Sequence, residues 1–62
     1  MSKENIFILG KKVELRKNIN FLDSEKKPQS GFVTFIDSEN IHLSSYYNPV
    51  KIQKIKDIIK VF

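Results

Sequence analysis

The sequence predicts a mainly β protein that forms one small domain. Alanine, the best helix former, is absent, whereas Ile, Val, Phe and Tyr supply 20 of the 62 residues. These β-branched and aromatic side chains pack well on a pleated sheet. Several segments also alternate apolar and polar residues with the period of a strand. A chain of this length holds one domain, residues 1–62, of which residues 1–10 are expected to form an N-terminal lead-in strand or arm.

The first half of the chain predicts two strands followed by a long loop. Residues 5–9 are a short apolar strand that Gly10 ends. Residues 11–17 alternate, so that Val13 and Leu15 are expected to face the core. Residues 18–30 are rich in Asn, Asp, Ser and Pro, which favours a loop that Phe21 and Leu22 attach to the core.

Residues 31–37 give the strongest strand prediction. The segment is apolar on both sides, with Phe32 and Ile36 on one face and Val33 and Phe35 on the other. A strand buried on both faces needs cover from a bent sheet or from a second subunit. Ser38 and Glu39 then form a tight turn, and residues 40–43 return with Ile41 and Leu43 inward.

The C-terminal segment has two interpretations. As strands, residues 50–53 alternate, residues 54–57 turn and residues 58–62 close the sheet. As an amphipathic helix over 49–62, the segment has Asn48 as N-cap and Pro49 as its first residue. One helix face then carries Ile52, Ile55, Ile59 and Phe62. The high Ile and Val content favours strands.

The stretch from Gly31 to Leu43, with Asp37 and Asn40 flanking the turn, resembles the first Sm motif. Its elements are a Gly, alternating apolar residues, an Asp, an Asn after a turn and an apolar-x-Leu ending. The resemblance implies a small five-stranded SH3/Sm-like barrel that assembles into rings. It also implies that Asp37 and Asn40 contact RNA bases.

The chain over residues 11–62 is also similar to YolD-like proteins, which are small Sm-like barrels of bacteria and their phages. The similarity lies in the Gly-x-Val-x-x-Ile-Asp stretch at 31–37 and in the apolar pattern at 55–61. It implies a non-enzymatic accessory protein.

The charge balance predicts an anionic partner. Eleven Lys and Arg residues against seven Asp and Glu give a net charge of +4 and a pI near 9.5. Only one of the eleven is Arg, which disfavours sequence-specific DNA recognition. The expected basic surface comprises Lys11, Lys12, Arg16, Lys17, Lys54, Lys56 and Lys60.

Tyr46 and Tyr47 lie beside Lys51 in sequence, a pairing of aromatic and basic residues that suits single-stranded nucleic acid. In an extended loop one ring is expected to be exposed and the other packed. The only histidine, His42, is expected to point away from the core between Ile41 and Leu43. The predicted ligand-binding residues are Asp37, Asn40, His42, Tyr46, Tyr47 and Lys51.

The sequence offers no catalytic set. Cysteine is absent, the single histidine has no evident orienting group, and two glycines make no phosphate-binding loop. We therefore expect no enzymatic activity, no metal site and no cofactor. The longest apolar run has four residues, 6–9, and no signal-peptide pattern is present, which predicts a cytoplasmic protein that does not enter a membrane.

Apolar side chains exceed what so small a protein is expected to hide. The predicted self- or partner-interface comprises Ile6, Phe7, Ile8, Phe32 and Phe35. The resulting hypothesis is a homo-oligomeric binding module for single-stranded nucleic acid or a nucleotide signal. The alternative is a phage-type inhibitor or adaptor that binds a host protein through its apolar surface.

Overall fold

A computed structural model describes residues 1–62 as seven strands in two antiparallel sheets, with no α-helix. The prediction of a mainly β protein is confirmed. No helix of the structure could cross a membrane. The strands are β1 (Asn5–Ile8), β2 (Lys11–Glu14), β3 (Asn18–Leu22), β4 (Pro28–Ile36), β5 (Asn40–Ser44), β6 (Lys51–Lys54) and β7 (Lys60–Val61), with a 3-10 turn at Ile55–Asp57 between β6 and β7.

The smaller sheet is the β1–β2 hairpin. Leu9 and Gly10 form its turn, with φ angles of 50° and 79°. Positive φ at both central residues is the geometry of a type I′ turn, which matches the twist of the flanking strands. Alternation along the hairpin buries Ile8 and Val13 and leaves Phe7 exposed.

The larger sheet has the strand order β6-β5-β4-β3-β7. Strands β3 to β6 form a meander, and the chain then returns so that Val61 of β7 pairs with Phe21 of β3. The edge strands β6 and β7 do not pair with each other, so the sheet is not a closed barrel.

Backbone hydrogen bonds join the two sheets along the second half of β4. The Val33 N–H donates to Lys17 O (2.9 Å), and Val33 O accepts from the Arg16 N–H (2.8 Å). The Lys3 N–H donates to Ile36 O (2.8 Å). The hairpin is thereby held over one face of the larger sheet, and ten buried apolar residues fill the space between them. Phe21, Val33, Ile36 and Ile41 are fully buried at its centre.

A β-bulge in β4 corrects the prediction for residues 31–37. Val33 lies opposite Leu43 and Phe35 lies opposite His42, so Thr34 is an extra residue without a partner. The bulge shifts the alternation by one position. Val33 and Ile36 therefore both face the core, and the prediction of a strand buried on both faces is wrong.

The predicted loop at 18–30 is also wrong in its first part. Residues 18–22 form β3, in which Ile19 and Phe21 are buried and Asn18 and Asn20 face solvent. The actual turn is short, because Asp23 Oδ1 accepts the N–H groups of Glu25 and Lys27. The chain therefore has seven strands and not the predicted five.

The alternative of a C-terminal helix over 49–62 is wrong as well. Ile52, Ile59 and Phe62, which that helix would bury together, are all exposed, whereas Ile58 and Val61 are buried. Residues 51–54 instead pair with β5. This pairing satisfies backbone groups of β5 that a helix would leave without a ladder partner.

Candidate binding surface

The side of β4, β5 and β6 that faces away from the core carries a row of ring-bearing and apolar side chains. Phe35 lies opposite His42, with 4.8 Å between the ring centroids, and His42 lies opposite Ile52 on β6. Phe32 belongs to the same face, because it pairs with Ser44, two residues after His42. We call Phe32, Phe35, His42 and Ile52 the outer face. Phe32 and Ile52 are exposed, whereas Phe35 and His42 are half-buried, so solvent reaches this face most freely at Phe32 and Ile52.

A tyrosine turn follows β5 at one end of the outer face. The Ser45 N–H donates to Asn48 O (2.9 Å), and the Asn48 N–H donates back to Ser45 O (3.3 Å). Tyr46 and Tyr47 are the central residues, 92% and 91% exposed, and their rings meet almost at right angles with centroids 4.9 Å apart. The expectation that one ring is packed is wrong, because the tight turn projects both.

A turn that contains Asp37 precedes β5, at the end of the strand opposite the tyrosine turn. Asp37 Oδ1 accepts the N–H groups of Glu39 (2.8 Å) and Asn40 (2.7 Å). These two hydrogen bonds hold the pKa of Asp37 below its ordinary value, since they favour the charged carboxylate. The carboxylate of Asp37 therefore shapes the turn, while the side-chain amide of Asn40 makes no hydrogen bond within the chain.

Beside this turn lies a cleft of about 520 Å³. The Ile55 N–H donates to Glu39 O (2.9 Å), and Asn40 pairs with Lys54, so the β4–β5 turn and the 3-10 turn stand next to each other. We call it the lysine cleft; its lining residues are Ser38, Glu39, Asn40, Lys54, Ile55 and Lys56. No local pattern in the sequence connects Ser38, Glu39 or Ile55 with a site, because their contact depends on pairing between residues distant in the chain.

Lys51 does not join the outer face. It pairs with the buried Leu43, and so lies on the core side of β6. Its Nζ donates to Gln29 Oε1 (3.2 Å), and Gln29 Nε2 donates to Asp23 Oδ2 (3.0 Å). The pKa of Asp23 is lowered, foremost by the hydrogen bond from the Lys27 N–H. This chain of contacts ties β6 to the β3–β4 turn.

Apart from Lys51, the predicted ligand-binding residues therefore occupy a line and not a single pocket. Asn40 and His42 stand two residues apart on β5, and the tyrosine turn follows the strand. At about 3.3 Å per residue, the five steps from Asn40 of the lysine cleft to Ser45, where the tyrosine turn begins, span roughly 16 Å. A bound molecule must be extended to contact both ends.

The predicted basic residues are spread over both sheets. Lys11 and Lys12 lie on β2, and Arg16 and Lys17 follow it beside β4. Lys12 pairs with Glu14 (3.4 Å), and Lys60 Nζ lies 5.1 Å from the ring centroid of Phe62. Of the seven residues, Lys54 and Lys56 share one cleft.

The residues of the predicted apolar interface are also divided between the two sheets. Ile8 is only 3% exposed, so its assignment to a surface is wrong, and Ile6 packs against the core. The reason is the alternation of β1, which points Phe7 outward at 67% exposure. Phe32 and Phe35 belong to the outer face, on the other sheet.

No group of three or more His, Asp or Glu side chains is placed to hold a metal ion. Comparison with protein-family models, curated proteins and solved structures gives no match to this chain. The assignment of a candidate site therefore depends on the geometry of the chain alone. That geometry is the outer face, with the tyrosine turn at one end and the lysine cleft at the other.

Proposed function

We propose that this protein is a non-enzymatic binding module that takes single-stranded nucleic acid along its outer face. The observation that carries the proposal is the arrangement along β5. The rings of the outer face, of which Phe32 is exposed and Phe35 and His42 are half-buried, lie between the tyrosine turn and the lysine cleft. Single strands are bound by aromatic side chains that stack on bases, together with cations that follow the phosphates.

The surface chemistry suits an extended anionic chain of variable sequence. The net charge of +4 attracts phosphates from a distance. Stacking on Tyr46, Tyr47 or Phe32 tolerates any base, since every base has a π face. Lys54 and Lys56 act as point charges, because a lysine ammonium does not give the bidentate contact by which arginine selects guanine.

The fold and the assembly belong to the same proposal. We propose that the larger sheet is an open relative of the SH3/Sm-like barrel, supported by the return of β7 to β3 after the 3-10 turn. We also propose that the protein works in the cytoplasm as a homo-oligomer, because one copy offers few stacking rings and several linked copies bind a strand far more tightly. A native mass spectrum of protein purified without added ligand tests the assembly, and a bare monomer would contradict it.

The experiment for the function is fluorescence anisotropy with an internally labelled thymidylate strand of about eight nucleotides. Tyr46→Ala is expected to weaken binding about 5- to 150-fold, since one stacked base contributes about 1–3 kcal/mol. Phe7→Ala is the matched control, because Phe7 is an exposed ring on the other sheet. Equal affinities for the parent and the Tyr46 variant would refute the proposed surface.

A second candidate function is a phage-type inhibitor or adaptor that binds a host protein. The favouring observation is the number of large apolar side chains that the fold leaves exposed, which include Phe7, Leu9, Val50 and Ile52. Salt separates the two functions. Nucleic-acid affinity falls steeply as salt rises, whereas an apolar protein interface hardly weakens.

A further inference from the structure

The lysine cleft contains donors that the fold itself does not use. The two salt bridges of the chain, Lys12–Glu14 and Lys27–Glu25, involve neither Lys54 nor Lys56. The side chains of Ser38 and Asn40 also make no hydrogen bond within the chain. Two ammonium groups, a hydroxyl and an amide are therefore free to bind a ligand.

The backbone of this cleft is held in place without help from a ligand. One wall is closed by the Asp37 carboxylate and by the Asp37 N–H, which donates to Asn40 O (3.0 Å). The Ile55 N–H to Glu39 O bond fixes the second wall against the first. The walls therefore need not rearrange when a ligand binds, and the entropic cost is that of ordering the two lysine side chains.

We infer that the lysine cleft binds a terminal phosphomonoester, either the phosphorylated end of a nucleic-acid strand or a free nucleoside monophosphate. The inference deepens the proposed function and rests on it for the strand-end source. A phosphomonoester carries a charge of about −1.5 to −2 and three acceptor oxygens. An internal phosphodiester has a single charge and two free oxygens, so it uses fewer of the available donors.

Glu39 sets the balance of charge in the cleft. Its carboxylate and the two lysines together give the lining residues a net charge of +1. Removing the Glu39 charge strengthens the attraction for any anion. Removing a lysine charge weakens it most for the ligand with the greater negative charge. Glu39→Gln and Lys56→Gln therefore shift affinity in opposite directions.

The test measures anisotropy with three labelled thymidylate strands that end in a 5′-hydroxyl, a 5′-phosphate or a 3′-phosphate. We expect one of the two phosphorylated strands, the one whose end reaches the cleft, to bind at least about fivefold more tightly than the hydroxyl strand. The reason is that a charged phosphate accepts charge-assisted hydrogen bonds, which are stronger than neutral ones. Lys56→Gln is expected to abolish this preference, and Glu39→Gln to raise the affinity for the phosphorylated strand. Lys26→Gln, an exposed lysine of the β3–β4 turn outside the cleft and outside the expected basic surface, is the matched control and is expected to keep the preference.

The free nucleotide is tested separately by titrating thymidine monophosphate into labelled protein and following amide chemical shifts. Shifts confined to residues 38–40 and 54–56 support the inference even when no strand binds, a result that would refute the proposed function alone. Equal binding of all three strands together with no shift from the monophosphate would overturn the inference. Strand binding that persists without an end preference would leave the proposed function standing.

Discussion

Gly31→Ala adds one methyl group where β4 approaches β5 most closely. A Cβ at position 31 would lie 2.9 Å from Leu43 Cβ and 3.4 Å from Ser44 O. Ordinary contacts between carbon atoms are about 3.5–4.0 Å. The Leu43 Cβ is attached directly to the backbone, so the clash is relieved only if β5 itself moves.

The cost follows from this geometry. Overpacking a core by one methyl group costs about 1–3 kcal/mol, and replacing Gly by Ala recovers about 0.4–1 kcal/mol through the unfolded chain. We expect a net loss of about 1–2 kcal/mol in the free energy of unfolding. A 62-residue protein has a total of about 3–9 kcal/mol. The substitution therefore removes a large part of the stability.

Urea denaturation followed by circular dichroism measures the loss. With a slope near 1 kcal/mol per molar urea, the midpoint is expected to fall by about 1–2 M. Ser30→Ala, on the exposed side of the same strand, is the control and should change stability by less than about 0.5 kcal/mol. An unchanged or higher midpoint for Gly31→Ala would show that β4 and β5 do not approach so closely.

Three further predictions concern the hairpin, the aspartate turn and the lysine cleft. Leu9→Asn is expected to stabilise the protein by about 0.5–1 kcal/mol in urea denaturation, because asparagine tolerates the φ of 50° better than leucine; a loss would contradict the turn geometry. The lowered pKa of Asp37 predicts stability that is present above the ordinary aspartate pKa of about 3.9 and is lost as pH falls through the folded value. Asp37→Asn should therefore reduce the difference between urea midpoints at pH 7 and pH 3, and an unchanged difference would argue against the turn. For strand binding, contacts from Lys54 and Lys56 predict a slope near −1.4 in a plot of log affinity against log salt, at about −0.7 per phosphate; a slope near zero would favour a protein partner.

Local alternation predicted the facing of several strands. It placed Val13 of β2 and Ile41 and Leu43 of β5 toward the core, and all three are buried. The tight turn after Asp37 was also predicted from the sequence, since Asp and Ser favour turns. These features depend on neighbours in the chain, which is why a sequence reveals them.

The failures have one physical source, which is pairing between distant residues. Asn18 and Asn20 favour turns and so predicted a loop where β3 lies. Residues 18–22 form a strand because they pair with β4. The bulge at Thr34 arises from the register of β4 against β5, and it moves Phe35 to the outer face. At the C-terminus the cap signals also allowed an amphipathic helix, and the pairing of β6 with β5 decided for the strands that the Ile and Val content favoured.

The candidate site likewise has a part that local patterns predicted and a part that depends on pairing between distant residues. Asp37 and Asn40 were candidates through the resemblance to the Sm motif, and His42, Tyr46 and Tyr47 through residue type, which is a local property of the sequence. The lysine cleft and the separation of Lys51 from the outer face required the register of β5 against β6.

The sequence by itself determined that this chain is basic, mainly β and without cysteine chemistry, since composition and two-residue alternation establish these properties. Only the tertiary structure decided which rings are exposed and which lysines meet. The reason is that a shift of one residue in strand register moves a side chain to the opposite face, and no local pattern records that register.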